Sequence, residues 1–515
     1  MELLTYKIEK NGEVPIYKHL YECIKQDILS GKLAEGERLP SKRNLASHLG
    51  IAVITVENAY AQLDVEGFIY TVEKKGYYVS PGMKSFFDIA REGEHCEDGR
   101  KVPQSGAISG AGKGMEQDDV TAGTNAESTV RDDITDLSAN NVFGDSFPFD
   151  SWSRIMRRML LDHEDSFIKS PDGRGIAELR KAIADYLYTN KGINVDANRI
   201  IVGPGTEYLH HILIQLLGRS FVVATENPGY KKAAKIYETN GIKVLHIPVD
   251  ESGLRVDKLP ERNVKLVHTS PSHHFPLGYI MPASRRKELL QWALATNAYI
   301  IEDDYDSEFC AEKKYIPTLF SIEKTRVIYM NTFTRSLAPS IRIAYMVLPE
   351  GLYKIYEKKL GFYSGTVSGF EQYTLAEFIK GGYYERHIRR VRNKIKNYKQ
   401  ITMDAIKASG LTEYADIIED EAGLGAVLKF KMTDNIYGDD KKKNQSSCGL
   451  PDENVFVSKL RSEGIKINPV SEYCYGELPE YENHFPVTFG NYEYEKLLDA
   501  FERIKEMYIA LTQNT

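Results

Sequence analysis

Residues Asn331 to Tyr345 read N-T-F-T-R-S-L-A-P-S-I-R-I-A-Y and follow a short apolar run, Val327-Ile328-Tyr329-Met330. The run has the length and composition of a buried strand. The segment after it offers the hydroxyls of Thr332, Thr334 and Ser336 and the guanidinium groups of Arg335 and Arg342. Hydroxyls donate hydrogen bonds, and an arginine fork grips an oxyanion with two N–H groups at once. Such a loop suits a phosphate or a carboxylate. An ordinary strand-to-loop turn with solvated arginines fits the same residues, so the surroundings must decide.

Outward from this loop the chain alternates apolar strand-like runs with amphipathic helical stretches. The runs are Arg199 to Val202, Phe221 to Ala224, Lys243 to His246, Lys265 to His268, Ala298 to Ile301 and Val327 to Met330. Helical spacing marks Ile176 to Tyr188, Glu207 to Leu217 and Ser284 to Thr296. This order predicts a mainly parallel sheet covered by helices, an α/β domain. Ligands of such sheets sit beyond the carboxyl ends of the strands. The unusual residues fall there: Gly203 to Glu207 (G-P-G-T-E), Asn227 to Tyr230 (N-P-G-Y), Thr269 to Gly278 (T-S-P-S-H-H-F-P-L-G) and Glu302 to Phe309 (E-D-D-Y-D-S-E-F). The first opens a helix, where free backbone N–H groups can cradle an anion, although a plain turn would look the same. The last is a carboxylate cluster, but no histidine or cysteine pattern at ligand spacing accompanies it, so no metal site is expected.

At 515 residues the chain exceeds one ordinary core. With 42% hydrophobic and 27% charged residues and a net charge of −7, it reads as a soluble protein with no global attraction for nucleic acid. Five scattered cysteines form no C-x-x-C pair, which fits free thiols in a reducing cytoplasm. No apolar stretch approaches the ~20 residues of a membrane span, and the first residues lack a signal-peptide run.

Residues 1–82 have another character. Ile16, Leu20, Ile24 and Ile28 recur at helical spacing. Ser41 is a good N-cap before Leu45, Ala46 and Leu49, and Gly50 is a stop. A further helix spans Ile51 to Glu66, with Val56, Ala59, Tyr60 and Leu63 facing inward. Phe68 to Thr71 and Tyr77 to Ser80 are β-rich around Lys74-Lys75-Gly76. Three helices and a hairpin make the order of a winged helix-turn-helix, whose second motif helix enters the major groove. A helical dimerisation bundle with a hairpin would share that order. The segment resembles the GntR family of bacterial regulators through Pro15-Ile16-Tyr17, Gly36 to Ala46 (G-E-R-L-P-S-K-R-N-L-A), Leu49-Gly50-Ile51, Thr55-Val56, Ala59-Tyr60, Leu63 and Glu66-Gly67. The resemblance implies binding to double-stranded operator DNA. Ser41, Lys42 and Arg43 would lie near phosphates, Thr55 and Asn58 on the recognition helix, and Lys74, Lys75 and Gly76 on the wing. Val53 and Ile54 stand where the family often has polar residues. Apolar groups can meet a thymine methyl but cannot grip guanine.

Gly93 to Ser128 holds seven glycines and seven acidic residues with almost no large apolar side chains, so residues 83–131 read as a flexible linker. Residues 132–349 are expected to form the large domain and 350–515 a smaller C-terminal α+β domain. Within the latter, Glu385 to Lys394 is a basic helical run, and Met432 to Glu453 reads as an exposed loop.

Taken together, the strand-end motifs resemble fold-type-I pyridoxal-phosphate proteins. More narrowly they resemble the MocR group, in which a GntR reader is fused to an aminotransferase-like domain. By that resemblance Gly205, Thr206 and Glu207 match the backbone cradle of the cofactor phosphate. Tyr230 matches the aromatic over the pyridine ring, and His273 lies in the segment along its edge. Asp303 matches the carboxylate at the ring nitrogen, and Tyr305 the partner of the ring hydroxyl. Thr332, Thr334 and Arg342 match the remaining phosphate ligands. The departure is at Arg335, where the family carries the lysine of the Schiff base. A guanidinium stays protonated and is no amine nucleophile, so no catalytic residue is assigned and competent aminotransfer is not expected. Three readings stay open: an engineered exchange, a natural change with pyridoxal phosphate held non-covalently, or a pocket turned to another anion. The segment His484 to Gly490 also lacks the arginine that aminotransferases use for a substrate carboxylate. The resulting expectation is a cytoplasmic, homodimeric transcription regulator whose aminotransferase-like domain senses pyridoxal phosphate, an amine or an amino acid. The alternatives are an aminotransferase with an attached reader and a non-sensing DNA-binding scaffold.

Overall fold

A computed structural model describes residues 6, 16–65, 68–72, 76–79, 134–138, 146–162, 167–310, 316–431 and 451–513. The expected linker over 83–131, the wing lysines Lys74 and Lys75, and most of the expected loop from Met432 lie outside these residues.

The reader contains α1 (Ile16–Leu29), α2 (Lys42–Leu49) and α3 (Val53–Val65), followed by β1 (Ile69–Val72) and β2 (Gly76–Val79). Ser41 caps α2 by accepting from the N–H of Asn44, and Gly50 ends it in the left-handed region at φ 64°. Leu20, Ile24, Ile28, Leu45, Val56, Ala59, Tyr60 and Leu63 close one core. The segment Gly36 to Leu39 also pairs with the wing. Gly36 N–H donates to the Val79 carbonyl, Val79 N–H to that of Glu37, and Leu39 N–H to that of Tyr77. The hairpin is thereby anchored to the loop just before α2.

β3 (Thr135–Asp136) precedes an eight-stranded sheet of β4 (Ile200–Gly203), β5 (Val222–Asn227), β6 (Lys243–Asp250), β7 (Gly253–Leu254), β8 (Val264–Thr269), β9 (Tyr299–Asp303), β10 (Val327–Thr332) and β11 (Ala344–Val347). The strand order is β4-β11-β10-β9-β8-β5-β6-β7. The run β10-β9-β8-β5-β6 is parallel, and β11, β4 and β7 add antiparallel pairs. The sheet is therefore mainly parallel, as its runs predict.

Side-chain alternation along the strands builds two cores. Ile200, Val202, Ile300, Val327 and Tyr329 face the helices Ala177–Lys191 and Ala283–Thr296. Ile201, Ile301, Ile328 and Met330 face the helices Thr206–Leu217 and Glu350–Leu360. The two aspartates at the end of β9 inherit this alternation, so Asp303 belongs to the second face and Asp304 to the first.

The C-terminal part pairs β12 (Ala415–Glu419), β13 (Gly425–Phe430) and β15 (His484–Thr488) in one antiparallel sheet. Its β14 (Ile465–Lys466) pairs in parallel with β3. The segment that opens the expected large domain thus packs on the C-terminal part, and Leu137 joins that core. The basic run from Glu385 lies within the helix Tyr383–Ala408, and Glu453 begins a helix capped by Asp452.

Candidate functional site

The strand ends do bring most of the singled-out residues together. β4 stops at Gly203, and Gly205, at φ 103°, introduces the helix Thr206–Leu217. A Cβ at Gly205 would stand 2.5 Å from Arg342 Nη2 and 2.6 Å from Glu207 Oε2. Only glycine lets that guanidinium lie over the helix N-terminus. Arg342 donates to Glu207 at 2.9 Å. Lys232, in the first turn of the next helix, grips the other oxygen of the same carboxylate. Burial acts to raise the Glu207 carboxyl, but the Lys232 contact, its own backbone N–H and Arg342 hold it down to about 2. Two cations and a helix N-terminus thus form an anion cradle in which the chain's own carboxylate sits. Sequence reading assigned Glu207 a backbone role and missed Lys232. The signal was present, because a basic pair at a helix start runs against the helix dipole and calls for an acidic partner.

Asp303 is 8% exposed at the end of β9. Its Oδ2 lies 3.4 Å from His268 Nε2 on the neighbouring strand, and its Oδ1 has no hydrogen-bond partner among the described residues. Behind His268 the His210 ring lies 5.4 Å away and shares a 2.8 Å hydrogen bond with Tyr237. Burial, helped by His268, pushes His210 down to about 3, so it is neutral. A buried acceptor left without a donor costs roughly 1–3 kcal/mol. An N–H from a ligand ring would remove that cost. Tyr230 follows Gly229 with its ring 41% exposed. Burial and the charges of Asp303 and Glu207 push its hydroxyl up to about 12.

Arg335 lies in the short helix Phe333–Ser336 directly after β10. Its Nε is 3.9 Å from Asp306 Oδ2, and its side chain is 15% exposed. Asp306 also holds His273 Nδ1 at 2.8 Å, while His273 Nε2 reaches Asp420 Oδ2 at 3.3 Å. Burial opposes a charged His273, but Asp306 and Asp420 outweigh it and raise the imidazole to about 10. Two cations and two carboxylates therefore interlock here. Asp420 comes from the C-terminal part and carried no sequence signal. The Tyr305 hydroxyl approaches His273 Nδ1 at 3.2 Å and its ring stacks on the imidazole. Burial and Asp306 raise its pKa well above the ordinary tyrosine value.

The two threonines close the loop on itself. Thr332 caps the short helix by accepting from Thr334 N–H, and its hydroxyl donates to the Ile343 carbonyl. The Thr334 hydroxyl donates to the Ile341 carbonyl at 2.9 Å. In this arrangement both hydroxyl protons hold the segment that carries Arg342 rather than pointing at a ligand.

In the reader, Lys42 is tied to Glu57 of α3 at 2.6 Å and lies over the Tyr77 ring, so its ammonium links α2, α3 and the wing. Arg43 is exposed, Thr55 is half-buried, and Val53 is exposed at the start of α3. Gly76 adopts φ 116° with the Arg38 guanidinium against it. Asn58 lies in α3, with its side chain outside the described residues. Among the described residues no group of three or more His, Cys, Asp or Glu side chains is placed to hold a metal ion, and no helix is long and apolar enough to cross a membrane.

The family described as aminotransferase class I and II matches residues 132–504, and the gntR family of bacterial regulatory proteins matches residues 16–79. The chain is 33% identical to the HTH-type transcriptional regulator YdeL of Bacillus subtilis (strain 168) over 91% of its own length and 92% of that protein's. It is 30% identical to the probable rhizopine catabolism regulatory protein MocR of Rhizobium meliloti, over 92% of this chain and 90% of that one. In fold it is similar to LysN, the α-aminoadipate aminotransferase of Thermus thermophilus, solved with N-(5'-phosphopyridoxyl)-L-leucine. The TM-score is 0.60 at 20% identity, covering 74% of this chain and 94% of that one.

Proposed function

The chain belongs to the MocR-type regulators, a gntR reader joined to an aminotransferase class I and II domain, and on that premise we propose that this domain is a sensor that holds pyridoxal phosphate without bonding to it. The reader makes the chain a DNA-binding transcription regulator.

The observation that carries the sensor reading is the buried, donor-less Oδ1 of Asp303 in a pocket whose lysine position is Arg335. The first accepts a ring N–H, and the second withholds the amine that a covalent link needs. The cradle of Gly205, Thr206, Arg342 and Lys232 suits a phosphate, which would replace the Glu207 carboxylate there. Tyr230 supplies the stacking face, and Tyr305 with His273 the polar edge. Pyridoxal phosphate, when bound, supplies an aldehyde that reacts with amines, so an amine or amino acid is a second candidate effector. A ligand that binds two conformations of the domain unequally shifts DNA binding by that difference.

A homodimer suits the exposed apolar side chains Phe149, Leu161, Ile168 and Phe362, which are 73–83% exposed in the single chain. Paired readers would address repeated half-sites on operator DNA in the cytoplasm.

Absorbance titration of the full chain with pyridoxal phosphate tests the reading. Saturable binding that keeps the free-aldehyde spectrum, is lost in Asp303→Ala and shifts the retardation of operator DNA is expected. Steady conversion of an amino donor into a keto acid would overturn it in favour of an aminotransferase with an attached reader.

A further inference from the structure

The helix Tyr383–Ala408 of the C-terminal part holds eight lysines and arginines and two acidic residues. Its inner face is apolar, with Ile388, Val391 and Ile395 buried at helical spacing beside Tyr384 and Tyr398. Three of its cations serve the fold. Arg392 Nε donates to the Glu308 carbonyl, Lys394 Nζ donates to Ser146 Oγ at 3.0 Å, and Lys399 pairs with Glu419 at 2.8 Å. The outer face is different. Arg386, Arg389, Arg390, Asn393, Lys396 and Asn397 are all exposed, at the three- and four-residue spacings of one helix face. Among the described residues no carboxylate pairs with any of these four cations. Arg386 donates to the Gly381 carbonyl at 3.0 Å and lies over the Tyr383 ring. Arg389 borders a cavity that Glu385 and Glu421 also line, without an ion pair to either. Glu385 accepts from Asn190 at 3.3 Å, and Asp404 accepts from Gln400 at 2.8 Å, beyond the stripe.

Local physics runs against this pattern. Arg386 lies in the first turn, where the helix dipole disfavours a cation. Arg386 and Arg390 are like charges four residues apart, which weakens a helix. An acidic side chain in place of Arg386 would satisfy both rules. Charges kept against local stability mark a functional face.

The chemistry of the face fits duplex DNA. Affinity for DNA rests largely on phosphates neutralised by lysine and arginine. The chain as a whole carries −7, and residues 1–82 hold ten Lys/Arg against eleven Asp/Glu, so the reader brings no surplus of cations. From Arg386 to Lys396 the stripe runs ~15 Å, enough to meet several phosphates of a duplex that carries one charge per ~1.7 Å of axis. Each of its side chains can donate hydrogen bonds to phosphate oxygens. The helix exposes no large apolar side chain. A helix lying on a membrane needs such groups on its inserted face, and a protein partner needs them as anchors.

We infer that the outer face of the helix Tyr383–Ala408 is a second DNA surface, which grips phosphates of the duplex flanking the operator without reading bases. The reader sets the sequence, and the stripe adds affinity. This rests on the DNA-binding role of the reader and is independent of any cofactor in the front pocket.

A duplex selected from a random pool by the full chain supplies the site for the test. Fluorescence anisotropy at several salt concentrations then compares that site alone with the same site carrying random flanks. The flanks are expected to raise affinity about tenfold. Arg386→Gln, Arg389→Gln, Arg390→Gln and Lys396→Gln combined should abolish the gain. They should also lower the slope of log affinity against log salt on the flanked site by about 2–4, at about 0.9 per phosphate. The selected sequence and the affinity for the bare site should stay as they are. Urea unfolding should show no loss of stability, because a repulsive pair is gone. Arg390→Glu alone should act in the same direction, and Arg389→Lys with Arg390→Lys should keep the gain. No gain from flanks in the unaltered chain, or a gain that survives the combined change, overturns the inference. A loss of stability with equal loss of affinity on both duplexes also overturns it, because the stripe would then be structural. Binding to phosphatidylserine vesicles that the combined change removes, with the flank gain intact, would assign the stripe to a membrane surface instead.

Discussion

The guanidinium of Arg342 lies 2.9 Å from the carboxylate of Glu207, directly across Gly205. The anion cradle is therefore occupied by a charge of the chain itself, and a ligand phosphate must displace it. Glu207→Gln removes the competing charge while keeping the side chain's shape. Pyridoxal phosphate affinity, read by absorbance titration, should rise about tenfold, equivalent to about 1.4 kcal/mol. A fall would mean that Glu207 organises the two cations instead of competing with the ligand.

Gly205→Ala strains the same cradle from the backbone. Its φ of 103° disfavours any Cβ, and the added atom meets Arg342 at 2.5 Å. Urea unfolding should show a loss of about 1–3 kcal/mol, and phosphate-bearing ligands should bind more weakly because Arg342 is pushed aside.

His273 makes stability depend on alkaline pH. Its folded value near 10 exceeds the ordinary value near 6.5 because Asp306 and Asp420 outweigh burial. The stabilisation is fully present below about pH 6.5 and is lost as pH rises toward 10. Stability curves of the chain and of His273→Gln should thus converge over that window. They start from a separation of a few kcal/mol, since each tenfold gain in proton affinity on folding is worth about 1.4 kcal/mol. Parallel curves would sink the assignment of an imidazolium between the two carboxylates.

At Arg335 the outcome is chemical. Borohydride added to the complex with pyridoxal phosphate should leave no pyridoxyl adduct on the chain. In Arg335→Lys one adduct is expected at residue 335 by peptide mass. An adduct on the unaltered chain would identify another lysine as the amine.

In the reader, Ser41 holds the N-terminus of α2 through the Asn44 N–H. Ser41→Ala should cost about 1 kcal/mol in the unfolding of the reader. Arg43→Ala should instead leave stability alone and reduce the slope of log affinity against log salt by about one phosphate contact.

Sequence alone went far because much of this architecture is local. Apolar runs bounded by turns mark the parallel strands, Ser41 and Gly50 mark the ends of α2, and strand ends locate Gly205, Tyr230, Asp303 and Arg335 on one rim of the sheet. The chemistry of Arg335 is a property of its side chain and needed no coordinates. Tertiary structure decided the pairings: Glu207 with Arg342 and Lys232, His273 between Asp306 and Asp420, and Lys191 with Asp304 and Glu308. These partners lie on different elements, and nothing in residue spacing records which charges share a buried volume. The same holds for the two aspartates at the end of β9. They are neighbours in sequence, but the two-residue period of a strand sends them to opposite faces, and only packed helices on both sides make those faces two different environments.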